Sequence, residues 1–157
     1  MISLLTEKTT FLKYIDITKD LEISDYYKTD THWREENIVD VAEKIGNGME
    51  TDVKAEYEEK TLDVDFYGVY YGQSALPLEA EKIKYLENEA LKNCKVYDFQ
   101  NGKEISVYDM EKGKGKDPYE MFLGGPLSLV TIENPNAKTD KELIIFRDSF
   151  GSSIAPL

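Results

Sequence analysis

The 157-residue chain sets 31 acidic against 19 basic side chains, a formal charge of −12, and a field of that sign repels nucleic acid unless a strong basic patch offsets it. This length makes one domain with a real core, and 41% hydrophobic with 32% charged residues is the composition of a soluble globular protein. No apolar run approaches the roughly 18 residues of a membrane span, and Met1 to Lys8 has charges too early for a signal peptide.

From Thr10 to Ile17 the residues alternate well enough to predict a strand. Lys19 to Asp30 is polar and without period. Ile38, Val41, Ala42 and Ile45 fall at helical spacing and predict a helix over Trp33 to Ile45, stopped by Gly46-Asn47-Gly48. Glu56 to Lys60 reads as an acidic link. Val64 to Gly72 is β-rich, its two glycines marking a bend or a close backbone approach. Leu78 to Leu91 is expected to be helical, with Pro77 at its entry. Lys95 to Phe99 and Glu104 to Tyr108 flank Asn101-Gly102, a strong hairpin signal.

Lys112-Gly113-Lys114-Gly115-Lys116, the one basic cluster, reads as a mobile loop, followed by Tyr119 to Leu123 and the Gly124-Gly125-Pro126 turn. Leu129 to Glu133 predicts a short strand and Asn134-Pro135-Asn136 a turn. Leu143-Ile144-Ile145-Phe146 has the continuous apolar, β-forming character of a buried strand in a parallel sheet. The mixture predicts an α/β fold. Little chain follows Ser153, leaving no room for the helix that should cover such a sheet, so the chain is expected to be a fragment of a longer protein.

A serine needs an adjacent base to act as a nucleophile. A favoured setting is a tight turn after a buried strand, where the side chain is exposed and nearby backbone N–H groups can receive an oxyanion. Leu143 to Gly151 has that layout. Ser149 sits in Phe146-Arg147-Asp148-Ser149-Phe150-Gly151, with Asp148 able to brace the turn. Asp-Ser-Phe-Gly alone equally fits a helix N-cap at Asp148 or Ser149.

His32 is the single histidine, so any serine–histidine chemistry uses it. Asp30, in Thr29-Asp30-Thr31-His32-Trp33, is close enough to orient the imidazole and stabilise its cation. The ordinary reading of a lone Asp-x-His makes Asp30 or Thr31 a helix N-cap instead. Cys94 stands alone, which excludes an internal disulfide and a cysteine-based zinc site. No loop shows the ladder of alternating acids that binds calcium, and no cofactor is called for.

Thr29 to Trp33 at the head of a helix, together with Leu143 to Gly151, resembles the bacterial proteins named for an Asp-His-His-Trp (DHHW) motif. Those are similar to the SGNH-like O-acetyltransferases of exopolysaccharide biosynthesis, such as the alginate acetylation enzymes. In that group the Asp-x-His pair precedes the serine, the order found here. Phe66-Tyr67-Gly68 to Ser74-Ala75-Leu76, and Pro118-Tyr119 through Gly124-Gly125, extend the resemblance over most of the chain after Leu12. Thr31 stands where the motif has its first histidine, and the Asp-x-His spacing survives.

The resemblance implies an SGNH-hydrolase-like parallel sheet flanked by helices, forming one domain over residues 1–157 that is incomplete at its ends. It implies Ser149 as nucleophile, His32 as general base and Asp30 as the orienting carboxylate. It also implies an extracytoplasmic or membrane-associated longer protein whose partner is an acetylated polysaccharide or a small acetyl ester. The Ser149 N–H is a candidate oxyanion donor. The Gly124 or Gly125 amides and the Asn134 side chain are further candidates, although Asn134 beside Pro135 also reads as a turn former.

Two functions fit. One is an acetylesterase or O-acetyltransferase; the other is a non-catalytic carbohydrate-binding or scaffold protein that uses its tyrosines as sugar platforms. A sheet edge left uncovered would also favour pairing between chains.

Overall fold

The computed structural model describes residues 9, 11–74 and 77–157; Met1 to Lys8, Thr10, Ala75 and Leu76 of the segments named above lie outside them. Phe11 to Ile17 is irregular where a strand was expected. Phe11 and Leu12 are exposed, and the segment pairs with no strand among the described residues; Ile17 instead packs on an apolar cluster built around Trp33, Ile38 and Val41.

The first helix, α1 (Val39–Gly48), begins later than its spacing suggests, after a 3-10 turn at Glu35–Asn37. It runs through Gly46 and Gly48, where Val53 and Ile15 approach too closely for side chains. The residues expected to open the helix are used differently. Tyr26 and Trp33 form an isolated bridge, and the Tyr27 N–H donates to the His32 carbonyl at 3.1 Å. The intervening residues therefore form a loop closed at its neck.

Glu35 leaves the turn for the interior. Its Oε2 accepts from the Leu86 N–H at 2.8 Å and lies 3.0 Å from the Tyr108 hydroxyl, which donates to the Leu86 carbonyl at 2.6 Å. Burial pushes its carboxyl up to about 8, so the acid is mostly protonated near neutrality. Its folded pKa lies above its unfolded one. The stability it contributes is therefore full below the unfolded value and lost as pH rises through about 8. Melting temperatures of Glu35→Gln measured across that range are expected to fall less with pH than those of wild type.

β1 (Glu58–Thr61) and β2 (Lys84–Glu87) pair antiparallel, from Glu58↔Glu87 to Thr61↔Lys84. β1 occupies the stretch expected to be a link, and its acids meet lysines, with Glu59 and Lys84 ion-paired at 2.8 Å. Between them Val64 to Gly72 is not a strand: Phe66 bridges Glu81 and α2 (Val69–Ser74) follows.

β2 overturns the expected helix from Leu78 to Leu91. Ile83 is buried with Tyr85 packed against the same cluster, while Leu86 is buried at the alternate position. A strand covered on both faces has no polar alternation to reveal it. The helix survives only as α3 (Glu89–Asn93), capped by Asn88, whose Oδ1 accepts from the Leu91 N–H at 2.8 Å.

β3 (Lys95–Asp98), β4 (Lys103–Ile105) and β5 (Val130–Glu133) form a second antiparallel sheet with β3 in the centre. The expected hairpin is present. Asp98 accepts from the Gln100 and Asn101 amides, and Gly102 supplies the φ of +65° that the turn needs. The lysine-glycine cluster is not loose: Lys112–Lys114 is a 3-10 turn with Gly113 buried against Leu62 and Met121. The larger apolar cluster lies beneath this sheet and β2, around Phe66, Ile83, Met121 and Phe122.

The chain is thus a mixed α/β domain, and the strand pairs among its described residues are antiparallel. Leu143-Ile144-Ile145-Phe146 departs most from expectation. It is irregular, with the four side chains 60%, 81%, 46% and 97% exposed. No described strand runs beside it, so nothing pairs with its N–H and C=O groups and no ladder forms. A short helix, α4 (Gly151–Ile154), follows Ser149. No helix among the described residues is long and apolar enough to cross a membrane.

Candidate active site

The loop between Tyr26 and Trp33 carries Asp30 near its tip and His32 at its neck, and is tied down on one side. Thr29 is fully buried. Its N–H and hydroxyl donate to Glu81 Oε2 at 3.0 and 3.1 Å, and its hydroxyl and carbonyl accept from the Gly68 and Tyr70 amides at 3.0 and 2.9 Å. Glu81 is in turn paired with Arg34, whose guanidinium lies 4.7 Å from the centre of the Tyr27 ring.

Asp30 is buried and accepts three hydrogen bonds. Oδ1 takes the His32 Nδ1–H at 2.5 Å and the His32 backbone N–H at 3.0 Å, while Oδ2 takes the Val69 N–H at 2.9 Å. Burial works against the anion, yet the bonds from His32 and Val69 prevail and hold its carboxyl below the usual range. Asp30 is therefore not a helix cap. The imidazole's other nitrogen, Nε2, lies 2.7 Å from Ser149 Oγ. Aspartate, histidine and serine, 119 residues from first to last, stand in one hydrogen-bonded series.

Ser149 owes its position to a tight turn. Asp148 Oδ1 accepts from the Phe150 N–H at 3.0 Å, and the Gly151 and Ser152 amides bond back to the Asp148 and Ser149 carbonyls. The helix cap is Phe150, with no side-chain cap, so neither Asp148 nor Ser149 has the capping role. Arg147 folds under the turn, donating from Nη1 to Ser152 Oγ at 2.5 Å, and burial lowers its pKa. The Ser149 N–H has no hydrogen-bond acceptor among the described residues. Nothing in the contacts of Gly124 or Gly125 joins them to Ser149; the Gly125 amide donates to the Phe122 carbonyl at 3.0 Å. Asn134 forms a turn, its Oδ1 accepting from the Asn136 N–H at 2.9 Å.

No family model matches the chain, and no curated protein matches it. Among solved structures it is similar to a DHHW family protein from Eubacterium siraeum, with a TM-score of 0.63 and 22% identity over 85% of this chain and 46% of that one. The chain has the fold of a DHHW family protein. It spans less than half of that protein's length.

Around the series, this DHHW-type fold brings up residues whose roles no sequence pattern gave. The Tyr119 ring stacks on His32 with centroids 4.0 Å apart, and Phe150 lies against the imidazole at 5.0 Å. Ser153 is buried beneath and bonds Trp33 Nε1 at 2.8 Å and the Tyr119 hydroxyl at 2.9 Å. Thr29 lay in the segment that carries the resemblance but without a role, and Glu81 left no signal. Gly68 had left a signal, as a glycine in a β-rich run: a Cβ there would fall 2.3 Å from the Thr29 carbonyl oxygen and 2.4 Å from Asp30 Cβ.

Proposed function

We propose that the chain belongs to the DHHW family and carries the Ser-His-Asp site of an SGNH-like acyl hydrolase or O-acetyltransferase acting on an acetylated polysaccharide or small acetyl ester. The observation that carries this reading is the series from Asp30 through His32 to Ser149, with separations of 2.5 and 2.7 Å. A longer, extracytoplasmic protein in which Leu143 to Phe146 joins a parallel sheet belongs to the same reading.

The chemistry follows from the protons. With Nδ1–H held by Asp30, Nε2 offers its lone pair to the serine and takes the Oγ proton as Oγ attacks the acetyl carbonyl. The tetrahedral oxyanion has the Ser149 N–H within reach. Its collapse breaks the ester C–O bond, His32 returns the proton to the departing alcohol, and an acetyl-serine remains. Water or a sugar hydroxyl then gives its proton to His32 and attacks the acetyl carbon; the bond from that carbon to Ser149 Oγ breaks, His32 returns the proton to Oγ, and acetate or a new ester leaves. A positioned base contributes roughly 10²–10⁴-fold and an oxyanion donor roughly 10²–10³-fold.

A fluorophosphonate probe is expected to label Ser149 in wild type at neutral pH and to fail on Ser149→Ala, with labelling slowed at least 100-fold in His32→Ala. Absence of label from folded wild type counts against the reading.

A second reading, a carbohydrate-binding protein without turnover, is favoured by the tyrosines of the α2 region. Tyr67 and Tyr70 are exposed, and Tyr67 lies 4.6 Å from Tyr71. The same segment donates the Val69 amide to Asp30. Glycan binding that persists in Ser149→Ala, with no ester hydrolysis by wild type, selects it.

A further inference from the structure

We propose that Tyr119, anchored by Ser153, is a positioning residue that holds the His32 imidazole in register with Ser149. The inference rests on the acyl-transfer reading of Asp30, His32 and Ser149.

Asp30 grips the imidazole by its edge, through Nδ1. One edge bond leaves the tilt of the ring free, and the tilt decides where Nε2 points. The face of the ring is set by Tyr119, whose own ring lies 18° from parallel at 4.0 Å. Tyr119 cannot drift: it is buried, packs at 4.8 Å on Phe122, and its N–H is bound by Asp117 Oδ1 at 3.0 Å.

The hydroxyl end of Tyr119 reaches the nucleophile's side of the site. Ser153 Oγ, on the short helix after Ser149, accepts from Trp33 Nε1 at 2.8 Å and lies within donating distance of the Phe150 carbonyl at 3.3 Å. A serine hydroxyl has one proton and two lone pairs, so with the Phe150 carbonyl taking that proton the 2.9 Å contact with Tyr119 is donated by the phenol, and with the phenol oxygen taking it the direction reverses; the anchor holds either way. Burial raises the phenol's pKa far above its usual value, which keeps the phenol's own proton in place. One side chain therefore touches the base with its face and the nucleophile's helix with its hydroxyl. Trp33, beside His32 in sequence, meets the same oxygen. When His32 takes the serine proton its charge also develops over the Tyr119 ring, a favourable placement for a cation.

A residue that merely fills the core would affect melting and little else. The test compares wild type, Tyr119→Phe, Tyr119→Leu and Ser153→Ala in the whole chain, with two readouts. The first is kcat and KM on p-nitrophenyl acetate. The second is the downfield Nδ1–H resonance of the imidazole, unambiguous because His32 is the single histidine. Tyr119→Leu is expected to lower kcat by about 10-fold with KM little changed, and to broaden the Nδ1–H signal. Tyr119→Phe keeps the stack, retains the signal and loses about threefold.

A folded Tyr119→Leu with wild-type kcat and a sharp Nδ1–H signal overturns the proposal. Should Tyr119→Leu fail to fold, Ser153→Ala decides: faster solvent exchange of Nδ1–H supports the anchor, and unchanged exchange overturns it. Absence of ester turnover by wild type would count against the acyl-transfer reading alone, because the resonance still reports whether Tyr119 holds the ring.

Discussion

Asp30→Asn is expected to reduce ester turnover by roughly 10⁴-fold while leaving the fold in place. The carboxylate accepts on both oxygens, from His32 on Oδ1 and from the Val69 N–H on Oδ2. An amide keeps one acceptor and puts an NH₂ at the other position. If the NH₂ faces His32, the imidazole must turn its Nδ1 lone pair toward it and carry the proton on Nε2. That tautomer cannot accept the Ser149 proton. If the NH₂ faces α2 instead, it meets the Val69 N–H donor to donor, and the loop tip loosens. The first outcome removes the base; the second keeps its tautomer but loosens the hold on it. Steady-state kinetics on an acetyl ester, with a melting curve to show that the variant is folded, measures the effect. Activity within a few-fold of wild type would remove Asp30 from the proposed mechanism.

The same carboxylate gives the site an acid limit. Its folded pKa lies below its unfolded value, so its contribution to stability is full above the unfolded pKa, near 3.9. It is lost as pH falls through the folded pKa. Glu35 acts in the opposite sense, its contribution fading as pH rises toward about 8. The two buried acids bracket the range in which the loop and the strand behind it are both at their most stable.

How much of this was legible in the sequence depended on how local the determining contacts were. The hairpin at Asn101-Gly102 was readable because its causes lie within five residues: the Asp98 carboxylate and one left-handed glycine. The Asp30–His32 pairing was readable for the same reason, and a single histidine left the serine only one base. Leu143 to Phe146 misled because an apolar β-forming run states what it would pair with, not that a partner strand is present. β2 misled because burial on both faces removes the period that separates strand from helix. Tyr119, Ser153 and Glu81 were beyond reach: the bond from Trp33 to Ser153 joins residues 120 apart, and no spacing rule connects them.

Gly68→Ala is expected to damage the site although it lies outside the series itself. The new methyl carbon would stand 2.3 Å from the Thr29 carbonyl oxygen, 2.4 Å from Asp30 Cβ and 2.6 Å from Asp30 Oδ2. Neither neighbour can yield cheaply. The Thr29 carbonyl accepts from the Tyr70 N–H, the Thr29 hydroxyl accepts from the Gly68 amide itself, and Asp30 is held by His32 and Val69. Overpacking of this kind costs about 1–3 kcal/mol, which lowers the melting temperature of a domain this size by several degrees. Relief of the clash requires the loop tip to move away from α2, taking Asp30 and His32 with it. Misplacement by about 1 Å slows a reaction by roughly 100-fold, so fluorophosphonate labelling of Ser149 should slow by that order. Gly72→Ala is the control, since nothing described lies within 4 Å of its missing Cβ. Labelling and melting in that variant are expected to match wild type. If Gly68→Ala matched it too, the contact between α2 and the aspartate would be dispensable, and the loop would hold His32 against Ser149 by its neck alone.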